Sequence, residues 1–145
     1  MKLEKVQALL ELGKWQEADR KTTEIMLEAV ERTKEGWLRV EDIYSFTGED
    51  LGKIDYLWRK YSNNRFGFSI QRKIFRELGG TQAFNFDLWY DFCDRVGWLD
   101  TERWRAEDDV SFQSKAALGH HPGDWSYFGL CLAHEACALL CRQDF

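Results

Sequence analysis

The residues best suited to chemistry lie near the C-terminal end of the sequence. On a helix they would fall within one arc of about 120°, and they are Cys131, His134, Cys137 and Cys141. One zinc ion needs four such ligands within about 2.3 Å. Cys131 and Cys141 would lie roughly 15 Å apart along a helix, so at most three residues could share an ion. We therefore predict reduced, buried thiols and no dedicated metal site, with a zinc site as the alternative.

No set of catalytic residues can be assembled from this sequence. It lacks a Gly-rich phosphate loop, a GxSxG elbow and an HExxH motif. His134 and Glu135 begin like the last of these, but Ala138 stands where the second histidine belongs. We predict that the chain is not an enzyme.

Aromatic side chains are unusually abundant. Seven Trp, five Tyr and ten Phe make 15% of the 145 residues. Such a surplus fits an apolar slot for a planar ligand as well as a core.

The net charge of −5 comes without a basic stripe, which argues against nucleic acid. The longest apolar stretch, residues 127–141, is shorter than the roughly 20 residues of a membrane span. It predicts a buried helix, and only peripheral membrane association stays open.

Hydrophobic periodicity predicts an all-α fold whose helices are separated by glycines. The residues that open or cap the six predicted helices are Leu3, Trp15, Thr47, Ser69, Asp87 and Asp124. Thr47 followed by Asp50 resembles a capping box. Residues 62–68 (SNNRFGF) predict a turn. Residues 105–123 show no periodicity, and a loop of that length in a compact domain is usually functional or disordered. The flanking Trp104 and Trp125 favour an ordered loop.

Several strings resemble the genomes-uncoupled-four family, the tetrapyrrole-binding activators of magnesium chelatase. They are GKWQEADRKTT (13–23), KEGWL (34–38), IDYLW (54–58), KYSNNRFGFSIQ (60–71), DRVGW (94–98), Phe112 and KAALGHHP (115–122). Together they extend from about residue 5 to residue 122. The resemblance implies one domain, residues 1–145, built as a compact helical bundle with a cupped-hand cleft between two loops.

In such proteins the two loops act as fingers over a cleft that takes protoporphyrin IX or Mg-protoporphyrin IX. The first finger would be residues 62–68 and the second about 104–125. The implied function is non-catalytic stimulation of magnesium chelatase in chlorophyll biosynthesis, with the chelatase large subunit as a candidate partner. The implied location is the cytoplasm of a cyanobacterial cell or, alternatively, the plastid stroma. A bilin-binding protein or a pigment-free helical sensor or interaction module on the same fold is the alternative.

The resemblance also suggests which residues would meet the pigment. Rings that could sandwich the macrocycle are Phe66, Phe68, Trp98 and Phe112. Cations that could hold its propionates are Arg65, Arg95, Arg103, Arg105 and Lys115. His120 or His121 is a candidate axial ligand to a porphyrin metal. Core packing for each ring, a solvated surface for each cation and solvent-facing loop histidines are the alternatives.

Three positions depart from the family pattern. The loop usually reads like KAPxGHLP, whereas Ala117 and His121 replace the first proline and an apolar finger-tip residue here. Leu99 stands where a basic residue is expected after Gly-Trp. The changes at positions 117 and 121 alter the apolar contact that the loop can make with the pigment, and Leu99 removes one cation that could bind a propionate. They therefore favour the bilin alternative or a lower porphyrin affinity.

Overall fold

The computed structural model describes residues 1–99, 116–123 and 133–145. Within these ranges the fold is all-α, as predicted, and contains seven helices and no strand. They are α1 (Glu4–Glu11), α2 (Trp15–Ala29), α3 (Val40–Ser45), α4 (Gly48–Tyr61), α5 (Phe68–Glu77), α6 (Phe86–Arg95) and α7 (Ala133–Leu140). None of these helices is both long and apolar enough to cross a bilayer.

The amphipathic helices α1, α2 and α4 pack against one another through their apolar faces. Val6 and Leu10 of α1 are buried, as the periodicity predicts. Burying one such side chain contributes about 1.5–3 kcal/mol. The buried face of α2 also carries polar residues, among them Asp19 and Thr22. The Thr22 hydroxyl accepts a hydrogen bond from Trp58 Nε1 of α4 at 3.1 Å, so this interface is specified by a polar contact as well as by packing.

The predicted cap of α4 is confirmed. Thr47 Oγ1 accepts the backbone N–H of Asp50 at 3.0 Å and donates to the Asp50 carboxylate at 2.9 Å. Acidic residues occupy the first turn, and Arg59 and Lys60 occupy the last. Both distributions complement the helix dipole. The helix then buries Leu51 and Trp58 on its core side.

The predicted caps of α5 and α6 are wrong. Helix α5 begins one residue before Ser69, whose N–H is accepted by the Asp55 side chain of α4. The cap of α6 is Asn85, which accepts the N–H of Leu88 at 3.0 Å, while Asp87 lies in the first turn. Both residues are good caps by type, but a nearby side chain already satisfies the end of each helix.

Two further differences concern α3 and α7. The six-residue helix α3 was not predicted, because it is too short to show a periodicity. The predicted last helix, capped by Asp124 and ending near Arg142, is described only over Ala133–Leu140, and its first half lies outside the described residues. Helix α7 packs against α3 and α5, and its Cys137, Leu139 and Leu140 are buried.

Candidate functional site

The turn between α4 and α5, residues 62–67, contains most of the predicted first finger. Ser62 Oγ accepts the backbone N–H of Phe66 at 2.9 Å, which closes the turn. Asn63 and Asn64 adopt left-handed φ angles of 55° and 60°, a conformation that asparagine tolerates better than most residues. Ser62, Asn63 and Asn64 therefore form the turn that connects α4 to α5.

The rings of the first finger lie in the core. Phe66 contacts Trp15 and Trp58 edge-on, with centroids 5.5 and 6.3 Å apart. Phe68 contacts Phe145 in the same manner at 6.3 Å. Both phenylalanines are buried. In this structure their rings support the finger from inside and present no open face to a ligand.

Asp55 of α4 fixes the end of this finger. Its carboxylate accepts the N–H and the hydroxyl of Ser69 at 2.7 and 2.9 Å, and Arg59 Nε donates to it at 2.8 Å. Gly67 lies beside it with a φ of 131°, and a Cβ there would approach Asp55 Oδ1 to 2.8 Å. Only glycine fits both this conformation and this space.

Residues 116–123, the described part of the predicted second finger, lie directly against the first. The N–H of Gly67 donates to the carbonyl of His121 at 2.9 Å, and that of Gly119 donates to the carbonyl of Arg65 at 2.8 Å. The Arg65 guanidinium also donates to the carbonyl of Ala116. The two finger segments are thus joined by backbone hydrogen bonds.

Gln71 of α5 holds the same segment from a second side. Its Nε2 donates to the carbonyls of Gly119 and Pro122 at 3.0 and 2.7 Å. The side chain is buried, where an unmet carbonyl would be costly. Sequence reasoning assigned no role to Gln71, although a polar residue on the apolar face of α5 was a signal.

His120 is 2% exposed, so the solvent-facing alternative is wrong for it. Its Nδ1 lies 2.7 Å from the carbonyl of Val96. A carbonyl can only accept, so Nδ1 is the protonated nitrogen. Trp98, which is half-buried, donates from Nε1 to the carbonyl of His120 at 2.9 Å. These bonds attach the segment to the end of α6.

His121 is also 2% exposed, and its side chain extends from segment 116–123 into the core. Its ring stacks on Trp58 with centroids 5.5 Å apart and meets Phe66 edge-on at 5.0 Å. Its Nδ1 lies 2.5 Å from Asp19 Oδ2, and both Asp19 oxygens accept the N–H of Gly123 at 2.9 Å. The finger-tip position therefore carries a polar contact inside the core. Sequence reasoning missed Asp19, whose signal was a carboxylate on the buried face of α2.

The remaining predicted site residues are distributed differently. Arg95 is exposed on the last turn of α6. Arg103, Arg105, Phe112 and Lys115 lie outside the described residues. Leu118 is the apolar residue that segment 116–123 presents to solvent, with 52% of its surface exposed.

The cysteines show the features of unreactive thiols. Burial raises the pKa of the Cys93 thiol to about 12 and that of Cys137 to about 11. Cys141 is partly buried, and all three are free thiols. Cys131 lies outside the described residues. Within the described part of the chain, no group of three or more possible ligands could hold a metal ion.

Comparison with known proteins places this fold and these segments in a family. A family model described as GUN4-like matches residues 1–135. The tetrapyrrole-binding protein, chloroplastic, of Arabidopsis thaliana is 29% identical over 117 residues, which cover 74% of this chain and 43% of that protein. The uncharacterized protein ycf53 of Cyanidium caldarium is 31% identical over 97 residues, covering 66% of this chain and 38% of the relative.

The matches extend to a cyanobacterial relative and to a solved structure. The Ycf53-like protein of Synechocystis is 32% identical over 87 residues, covering 59% of this chain and 34% of the relative. This chain thus spans about two fifths of the curated relatives it matches. The ligand-free structure of Arabidopsis thaliana GUN4 shares the fold, with a TM-score of 0.74, 24% identity and 99% coverage of both chains. The chain belongs to the GUN4-like family.

Proposed function

We propose that this chain binds a tetrapyrrole without changing it chemically, and that the ligand is protoporphyrin IX or Mg-protoporphyrin IX. The observation that carries the proposal is the direct joining of two finger segments that are distant in the sequence. Family membership and the name of the Arabidopsis relative support it.

The outer side of the joined segments suits one edge of a porphyrin. Leu118 offers exposed apolar surface, and Trp98 is half-buried beside His120. Covering a few hundred Å² of apolar surface contributes several kcal/mol before the costs of association. Arg65 lies at the same joint, and a guanidinium has five N–H donors with which to hold a propionate as well as Ala116.

The proposed roles of the predicted residues divide accordingly. Arg65 and Trp98 meet the pigment, together with Arg95, Arg103, Arg105, Phe112 and Lys115 from α6 and the rest of the second finger. Phe66 and Phe68 support the fingers from the core. His120 and His121 hold segment 116–123 in place through their Nδ1 atoms rather than ligating a porphyrin metal.

At the level of the pathway, we propose that the chain stimulates magnesium chelatase in chlorophyll biosynthesis, with the large subunit as partner. It would deliver substrate porphyrin or accept product and favour the competent state of the chelatase. The size of this effect is limited by the difference in its affinity for the two states of the chelatase. Addition of the chain to a chelatase assay should raise the rate of magnesium insertion.

Titration with deuteroporphyrin IX tests the binding proposal. We expect quenched tryptophan emission and a shifted Soret band at micromolar ligand. Leu118→Gln should weaken binding about tenfold, because about 1.4 kcal/mol of apolar contact corresponds to that factor. Leu12→Gln is the matched control, since Leu12 directly follows α1, is 71% exposed and should leave affinity unchanged. An unquenched, unshifted wild-type protein would refute the proposal.

The alternative is a bilin-binding or pigment-free interaction module on the same fold. Burial of the finger rings and of His121, together with Leu99 in place of a basic residue, favours it. Biliverdin in the same titration distinguishes the first possibility by its own absorbance shift. A protein that captures a partner in a pull-down and takes up neither pigment supports the second.

A further inference from the structure

A single buried amide of α5 holds two carbonyls of the second finger. Gln71 is 0% exposed, and its Nε2 donates to the carbonyl of Gly119 at 3.0 Å and to that of Pro122 at 2.7 Å. An amide nitrogen carries two hydrogens, so each carbonyl receives one of them. No other uncharged side chain of this length carries two N–H donors, and the residue type therefore matches this contact.

The helix that carries Gln71 is itself fixed at its start. The N–H of Gln71 donates to the carbonyl of Gly67 at 3.1 Å, and the N–H of Gly67 donates to the carbonyl of His121 at 2.9 Å. Two residues before Gln71, the N–H of Ser69 donates to the carboxylate of Asp55 at 2.7 Å. The donor group of Gln71 therefore extends from a helix turn that is tied to α4 and to the second finger.

The bonds of the second finger lie on both sides of its exposed residue, Leu118. Before it, the carbonyl of Ala116 accepts from the Arg65 guanidinium. After it, the N–H of Gly119 donates to the carbonyl of Arg65 at 2.8 Å, and the carbonyl of Gly119 accepts from Gln71. Gly119 is buried, whereas Leu118 is 52% exposed. The position of Leu118 is thus set by buried contacts of its neighbours.

Gly119 also lies close against α5. It has a φ of 76°, and a Cβ at this position would approach Ile74 Cδ1 to 2.9 Å and Val96 Cγ1 to 3.3 Å. A residue with a side chain would be strained in this backbone conformation. The segment therefore packs closely beside Gln71, where a small movement of the backbone would lengthen the hydrogen bond from the amide.

We propose that Gln71 is a positioning residue for pigment binding, which acts by holding Gly119 and Pro122 and thereby fixing Leu118. The inference rests on the proposed function, since that function places the pigment against Leu118. A segment that is already ordered loses less conformational entropy when a ligand covers it. Loss of the amide removes this donor from two buried carbonyls and lets the segment move, so affinity falls although the buried Gln71 does not touch the pigment.

Titration of the full chain with deuteroporphyrin IX measures the effect on affinity. Gln71→Met retains an unbranched side chain of similar length but removes both donors, and it should bind about tenfold more weakly. Gln82→Met is the matched control, because Gln82 is exposed in the loop before α6 and its replacement should leave affinity unchanged. Circular dichroism establishes that each titrated variant is folded. Equal affinity of Gln71→Met and wild type would overturn the inference and leave the proposed function standing.

A double-mutant cycle with Leu118→Gln separates positioning from a general structural role. If Gln71 acts through Leu118, its replacement matters little once Leu118 is gone, so the double variant should bind only about ten- to twentyfold more weakly than wild type. Independent effects would multiply to about a hundredfold loss. A hundredfold loss would therefore contradict positioning through Leu118.

Amide hydrogen exchange reports the position of the segment without any pigment. In Gln71→Met the N–H of Gly119 should exchange about tenfold faster, while the N–H of Gly36, bonded to the carbonyl of Arg32 in a distant turn, should be unchanged. In the wild type, the side-chain N–H groups of Gln71 should exchange more slowly than those of the exposed Gln82. Equal exchange of the two glutamine side chains would refute the hydrogen bonds on which the inference depends.

The wild type alone decides if Gln71→Met does not fold. Deuteroporphyrin IX at saturation should slow the exchange of the Gly119 N–H about tenfold, because a pigment that contacts Leu118 favours the ordered segment. Binding that leaves this exchange rate unchanged would overturn the inference. Failure of the wild type to bind, together with slow exchange at the Gln71 side chain, would refute the proposed function while supporting the role of Gln71 in ordering the segment.

Discussion

Each finger segment is held by one buried carboxylate, and the two carboxylates differ in how far away in the sequence their partners lie. Asp55 secures the first through Ser69, which is 14 positions away, and through Arg59 on its own helix. Asp19 secures the second through His121 and Gly123, which are more than a hundred positions away. The first arrangement is nearly local, whereas the second exists only in the folded protein.

The partners differ as much as the distances. Asp55 is paired with the guanidinium of Arg59, whereas Asp19 is paired with the imidazole of His121. The first finger is also continuous with α4 and α5, so its closure is inexpensive in chain entropy.

The largest expected loss of unfolding free energy comes from a buried ring of the first finger. It is compared with the loss at an exposed residue of the second finger. Phe66→Ala should lower the free energy of unfolding by about 3–5 kcal/mol, because it empties a site between Trp15 and Trp58. Leu118→Ala should cost less than about 0.5 kcal/mol. Urea denaturation measures both. Equal losses of unfolding free energy would contradict the view that Phe66 supports the first finger from the core while Leu118 is presented to solvent by the second.

The second-largest loss of unfolding free energy is expected when Asp55 is replaced. Asp55→Ala leaves the N–H of Ser69 without its acceptor and Arg59 without its partner. We expect a loss of about 3 kcal/mol in unfolding free energy, reduced from the value of a fully buried pair because Arg59 is part-exposed. Asp91→Ala is the exposed control.

A third prediction concerns Gly67, where the two finger segments are joined. Gly67→Ala should cost about 2–3 kcal/mol, since the new Cβ would meet Asp55 in addition to the backbone strain. Gly36→Ala, with a φ of 74° and open space around it, should cost only about 1 kcal/mol. Chemical denaturation measures both losses, and equal losses would contradict a close approach at Gly67.

The last prediction concerns a carboxylate outside both fingers. Hydrogen bonds from the Arg39 side chain hold the pKa of Asp42 below its usual value of 3.8. A lowered folded-state pKa stabilises above the unfolded-state value and is lost as the pH falls through the folded-state value. Asp42→Asn should therefore cost about 1 kcal/mol at pH 7 and progressively less below about pH 4. Stability measured between pH 3 and 7 checks this.

Sequence reasoning succeeded where the determining contacts are local. The periodicity of α1 and α2 and the Thr47 cap of α4 depend on residues within one or two turns, and these predictions are confirmed. Ser69 and Asp87 were chosen as caps by residue type alone. Asp55 reaches across from α4 in the first case, and Asn85 lies two residues earlier in the second, so type did not decide either helix start.

Hydrophobic spacing, capping residues and the family strings were sufficient to determine that this chain is helical and to which family it belongs. Which side chains of the two fingers lie inside was decided by the tertiary structure. Phe66 and His121 are as suitable for a ligand as for a core by residue type, and their environment is set by Trp58 of α4 and Asp19 of α2. A side chain becomes buried when distant elements cover it, and local sequence carries no record of which elements those are.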